Sequence, residues 1–232
     1  MMKGVSSVPK EVVVDVFGNF ACFTKPYAKV ERVSYDVPTP SACRGTLEAI
    51  YCKPVEFYYQ IKKIEVMKPV RYFNMKRNEV YQKSADANPI VVDEKRTQRN
   101  TVYLRDVYYR IHADIVKFPT CDSRVTEASL QAQFNRRINN GKCFHQPFFG
   151  MKECMAFFSP PDENVHPIKE SRNLGIMLYD NFDIRTIVPL NTKTHEGKIC
   201  RTFFDAVMQN GTIVVPEYDS GEVWKIDVQS VV

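Results

Sequence analysis

Apolar and polar positions divide the chain into short alternating segments interrupted by two helical stripes. Residues 11–17 (EVVVDVF) are rich in β-branched side chains and stop at Gly18, which predicts a strand. Thr39 is a capping type and Pro40 suits the first helical position. Cys43, Leu47, Ile50 and Tyr51 then recur with helical spacing, predicting a helix that Pro54 stops. Within 57–69, alternation from Tyr59 to Met67 predicts a half-exposed strand with a basic outer face, and 71–80 is expected to pair with it as a hairpin. Residues 81–100 are polar and read as a loop. Residues 101–118 are β-like, with Val102, Leu104, Val107, Tyr109, Ile111 and Ile115 as core candidates. Leu130, Phe134 and Ile138 mark a second helix over about 126–140, closed by Gly141. Residues 151–158 (MKECMAFF) read as a strand.

This order, β, α, β, an irregular β region, α, β, predicts an α+β fold: a ferredoxin-like (RRM-like) βαββαβ domain with insertions over residues 1–160. Past Pro160 and Pro161, short strand-like pieces at 174–179, 184–190 and 212–215 surround an expected helical turn near 203–208. They predict a small C-terminal antiparallel β-sheet over 161–232. No internal repeat or low-complexity tract occurs.

Composition narrows the class. With 44% hydrophobic and 25% charged residues, wholesale disorder and fibrous structure are excluded. Thirty-two Lys and Arg against 27 Asp and Glu give a net charge of +5, which permits a polyanionic partner without requiring one. Seven scattered cysteines without a CxxC pair fit reduced thiols, and no secretory signal or membrane-spanning run is present, so a cytoplasmic protein with no membrane partner is expected. GxxxxGK[ST], GxGxxG and GxSxG are all absent, and Cys and His are too dispersed for a zinc site. No metal or other cofactor is therefore expected, and any catalysis rests on His, Lys, Tyr and Arg.

Two basic clusters are candidates for chemistry. In 135–153 (NRRINNGKCFHQPFFGMKE), Arg136 and Arg137 end a helix, and Lys142, Phe144, His145, Phe148 and Phe149 follow in a loop. Cations beside aromatic faces are what single-stranded RNA recognition uses. The plainer reading is a connection whose phenylalanines fill the core. Lys25, Lys29, Arg32 and Arg44, with Lys76 and Arg77, form the second cluster, whose plainer reading is solvated surface.

Four blocks taken together resemble a family: CFTKPYAKVERVSYDVPTPSACRGTLEAIYCKP (22–54), KRNEV (76–80), the 135–153 block, and AVMQNGTI (206–213). They are similar to the d-type Cas5 proteins of type I-C CRISPR systems. The resemblance implies an endoribonuclease that cuts CRISPR repeat RNA at the base of its hairpin without a metal and keeps the mature crRNA. It also implies assembly with the backbone and large subunits of the type I-C interference complex. The family's catalytic Tyr carries over to Tyr51, whereas its Lys-His pair aligns with Ser129 and Leu130, neither of which does acid–base work. A phenol of pKa ~10 is only about 0.1% ionised at pH 7, so Tyr51 needs help, and Lys142 and His145 are the nearest candidates in the motif. The expected catalytic set is Tyr51, Lys142 and His145; the expected RNA-binding set is Lys25, Lys29, Arg32, Arg44, Lys76, Arg77, Arg136 and Arg137. The alternative is a catalytically inactive subunit that binds the 5′ handle of the crRNA.

Overall fold

The computed structural model describes residues 10–80, 96–185 and 200–227. The described chain is mostly β with two helices, and its ten strands join in one curled sheet, a half-barrel in outline. Four strands carry the centre: β1 (Lys10–Ala21), β3 (Phe57–Val66), β5 (Arg96–Lys117) and the short β6 (Phe157–Ser159). They lie in the order β6-β1-β5-β3, each antiparallel to its neighbour. Helices α1 (Pro40–Ile50) and α2 (Glu127–Asn139) connect β1 to β3 and β5 to β6, so the chain order is the expected one.

Both helices form for local reasons. The Thr39 hydroxyl accepts from the Ala42 amide with Pro40 in the first turn, and Thr126 and Ser129 make a reciprocal capping box. Leu47, Ile50, Leu130, Phe134 and Ile138 point into a core with Val12, Val14 and Val16 of β1 and Ile111, Ala113 and Ile115 of β5. Burying each of the larger side chains is worth about 1.5–3 kcal/mol. The stripe and the alternation seen in the sequence are these two faces.

Pairing departs from expectation in several places. Strand β4 (Tyr72–Val80) pairs with β5, not β3: Tyr72 opposes Leu104 and Val80 opposes Arg96. Residues 96–100 are thus strand rather than loop, while 81–95 lie outside the described residues. A two-residue strand β2 (Arg32–Val33) runs parallel to β5 at Thr101 and Val102. Residues 151–154 form bends and a turn, Met155 makes an isolated β-bridge with Phe148, and the strand begins only at Phe157.

In the last third, β7 (Arg172–Asp180), β8 (Cys200–Gln209), β9 (Thr212–Val214) and β10 (Trp224–Asp227) pair antiparallel around β8. The expected helical turn at 203–208 is part of β8, because Thr202, Phe204, Ala206 and Met208 are buried in alternation. The separate C-terminal sheet is likewise corrected: β9 hydrogen-bonds to β3 at Lys63–Glu65 and makes the sheet continuous. Of the expected strand at 184–190, residues 186–190 lie outside the described residues, and Ile184 and Arg185 lie in a turn.

Candidate nucleic-acid interface

A helix leaves its last carbonyls without partners inside the helix, and something else must satisfy them. At the end of α1 the partners are residues that the sequence singles out. The Phe144 and His145 amides both donate to the Ala49 carbonyl, at 2.8 and 2.9 Å. Arg137 Nη1 donates to the Ile50 carbonyl at 3.1 Å, and the Tyr59 hydroxyl donates to the Tyr51 carbonyl at 2.7 Å. One set of contacts therefore ties α1, the end of α2 and the loop after it together.

That loop starts with a Schellman turn. The Gly141 amide donates to Ile138 and the Lys142 amide to Arg137, with Gly141 at φ +60°. The turn sets Lys142 beside Arg136 and Arg137, and all three line an open groove of about 670 Å³ with Gln133 and Asn140. Gln133, Arg137 and Asn140 share one helix face through their spacing of four and three residues. The sequence reading missed Gln133 and Asn140, though that spacing was visible. Among the described residues no carboxylate lies within ion-pairing distance of Arg136, Arg137 or Lys142. The Nε of Arg137 is buried and unpartnered there.

Tyr51 caps α1 and packs between Phe57, at 5.5 Å between ring centroids, and the Arg137 guanidinium, 5.3 Å above its ring. Burial pushes its phenol above the ordinary value, and Glu56 adds to this; Lys53 and Arg137 pull the other way without reversing the outcome. At neutral pH the Tyr51 phenol thus keeps its proton. His145 is exposed, its ring against Phe144 at 4.1 Å between centroids. No hydrogen bond joins the side chains of Tyr51, Lys142 and His145 among the described residues. Tyr51 and His145 lie at the end of α1, and Lys142 in the turn that closes α2. Ser129 completes the cap of α2 and Leu130 is core, both at the end of α2 opposite Arg137.

The second cluster is differently built. Arg44 grips buried Asp180 through Nε and Nη2, at 2.8 and 3.1 Å, and holds Glu48 at 2.6 Å. Its charge is therefore compensated and its donors are engaged within the fold. Arg32 pairs with Glu79 at 3.5 Å and Arg77 with Glu153 at 2.9 Å. Lys25 lies over the Tyr35 ring at 5.6 Å, and Lys29 and Lys76 are exposed. The 135–153 block physically joins the two clusters, since it carries Arg136 and Arg137 near its start and ends at Glu153, the partner of Arg77. Gly150 makes that crossing possible: at φ +78°, a Cβ there would come within 2.1 Å of the Cys22 carbonyl oxygen.

Comparison with known proteins agrees with the resemblance. The family described as CRISPR-associated protein (Cas_Cas5), in its Cas5d form, matches residues 11–216. A protein of Thermus thermophilus named CRISPR pre-crRNA endoribonuclease Cas5d is 37% identical over 221 residues, covering 92% of this chain and 95% of that one. Its namesake from Mannheimia succiniciproducens is 37% identical over 230 residues, covering 90% and 96%. In fold, the chain is similar to a solved CRISPR-associated protein at TM-score 0.64 and 24% identity, covering 93% and 96% of the two chains. A Streptococcus mutans protein aligns at the same TM-score of 0.64 with 21% identity, over 94% and 100%. Among the described residues no helix is long and apolar enough to cross a membrane. A match through nearly the whole chain places this protein in the d-type Cas5 family of CRISPR-associated proteins.

Proposed function

We propose that this chain cuts CRISPR repeat RNA without a metal ion and keeps the crRNA as a subunit of a type I-C interference complex, beside that complex's backbone and large subunits. Residues 1–160 act as a ferredoxin-like RNA-processing domain, and residues 161–232 extend it. The observation that carries this reading is the α1–α2 corner: three cations free of carboxylates among the described residues line a groove next to a protonated tyrosine and an exposed histidine.

The chemistry is an internal transesterification. His145 takes the proton of a ribose 2′-OH, the general-base role that imidazole most often fills. The 2′-oxygen bonds to the adjacent phosphorus as the bond to the 5′-oxygen breaks. Tyr51 donates its proton to the departing 5′-oxygen. A 2′,3′-cyclic phosphate and a 5′-OH result. Arg136, Arg137 and Lys142 stabilise the added negative charge on the phosphate. Lys25, Lys29, Lys76 and the partly compensated Arg32 and Arg77 follow the RNA beyond the cut.

The test is incubation of the purified protein with its own repeat RNA in EDTA. Cutting by wild type that is lost in Tyr51→Phe and His145→Ala supports the assignment; full activity in both variants removes it. A second reading, an inactive subunit that grips the 5′ handle, is favoured by Ser129 and Leu130 standing where the family has Lys and His. A shifted but uncut RNA band selects it.

A further inference from the structure

The phenylalanines of the 135–153 block have unequal fates. Phe149 is core, in edge contact with Phe23 and Tyr109, whereas Phe144 leaves 62% of its surface in water. Exposure of a phenylalanine forgoes the stabilisation its burial brings, so the ring is useful elsewhere or idle. Slack in the backbone does not explain it, because the Phe144 and His145 amides are both fastened to the Ala49 carbonyl. The ring is held outward beside the Lys142 end of the groove, with the His145 imidazole against it.

We infer that Phe144 is a stacking platform for one unpaired nucleobase of the bound RNA, that of the nucleotide whose 2′-OH faces His145. This rests on the RNA-cutting reading above and adds a base-binding position to it. A flat apolar face beside cations matches a nucleotide on both sides, base on ring and phosphate on charge. The stack would also fix the sugar relative to His145, so that losing it slows cutting as well as weakening binding.

The test uses repeat RNAs with a single abasic nucleotide at each unpaired position in turn, and affinity is measured for wild type, Phe144→Leu and Phe144→Trp. Leucine keeps apolar bulk but has no aromatic face, and a side chain this exposed leaves thermal unfolding unchanged when replaced. In wild type, one abasic position is expected to weaken binding about tenfold. Phe144→Leu should bind intact RNA about tenfold more weakly and become indifferent to that position, while Phe144→Trp restores the sensitivity. If wild type binds and cuts but Phe144→Leu shows the wild-type abasic profile, the platform is refuted and the cutting reading stands. If wild type neither binds nor cuts any of these RNAs, the reading itself falls and the platform with it.

Discussion

The two basic clusters of this protein look alike in sequence and differ in what their charges face. Near the start of β5, Arg32 and Arg77 reach Glu79 and Glu153, and Arg44 is clamped by Asp180 and Glu48. At the α1–α2 corner, Arg136, Arg137 and Lys142 meet backbone carbonyls, a ring and water, with no carboxylate among the described residues. A paired cation must give up its partner before it can hold a phosphate; an unpaired one only exchanges water and counterions. Cations at a helix C-terminus also complement its dipole, by ~0.3–1 kcal/mol each, which keeps the corner cluster together without a carboxylate. Counting basic residues therefore misleads, and the usable ones are those left uncompensated.

The sharpest break in that comparison is catalytic. His145→Ala and Tyr51→Phe are each expected to slow repeat-RNA cutting ~10²–10⁴-fold, whereas Arg32→Gln leaves the rate within about twofold, as single-turnover kinetics would show. Stability should show the reverse pattern. Arg44→Ala leaves the buried Asp180 carboxylate without its cation and is expected to cost ~3 kcal/mol in urea unfolding, with RNA affinity of the folded fraction unchanged. Binding comes next: Arg136→Gln with Lys142→Gln should weaken repeat-RNA affinity about tenfold, against less than about twofold for Arg32→Gln with Arg77→Gln, by filter binding. The smallest effect concerns pH. Burial holds the Tyr51 phenol above its ordinary value, so it remains a donor through the neutral and mildly alkaline range. The cutting rate should then change less than about twofold from pH 8 to 9.5, and a fall there that Tyr51→Phe abolishes would contradict the donor role.

What the sequence made legible was local. Thr39 before Pro40, Thr126 before its stripe and Gly141 after it are read by backbone groups one turn away, and each lies where its chemistry requires. Strand partners were not legible. β4 follows β3 directly yet pairs with β5, because β5 is 22 residues long and has a free length of edge for it at 96–104. The FFDAVM stretch carries apolar residues at both helical and alternating spacings, and only burial against the sheet selects the strand. At the candidate site, Tyr51 came from resemblance and the cations from composition. Their grouping depends on α1 carbonyls that accept from residues 87 to 96 positions away, which no local pattern encodes. For the same reason the partner of Arg44 was not legible, since Asp180 lies 136 residues downstream.

The central claim, that the uncompensated corner neutralises more of the RNA's charge than the paired Arg32 and Arg77 do, is tested most directly by the salt dependence of binding. Log affinity for the repeat RNA would be measured against log salt for wild type, for Arg136→Gln with Lys142→Gln, and for Arg32→Gln with Arg77→Gln. The corner variant should flatten the slope by about 1.4, roughly 0.7 for each phosphate of single-stranded RNA that is no longer neutralised, and the paired variant by less than about 0.3. Equal flattening in the two variants, or flattening in the paired variant alone, would contradict the account.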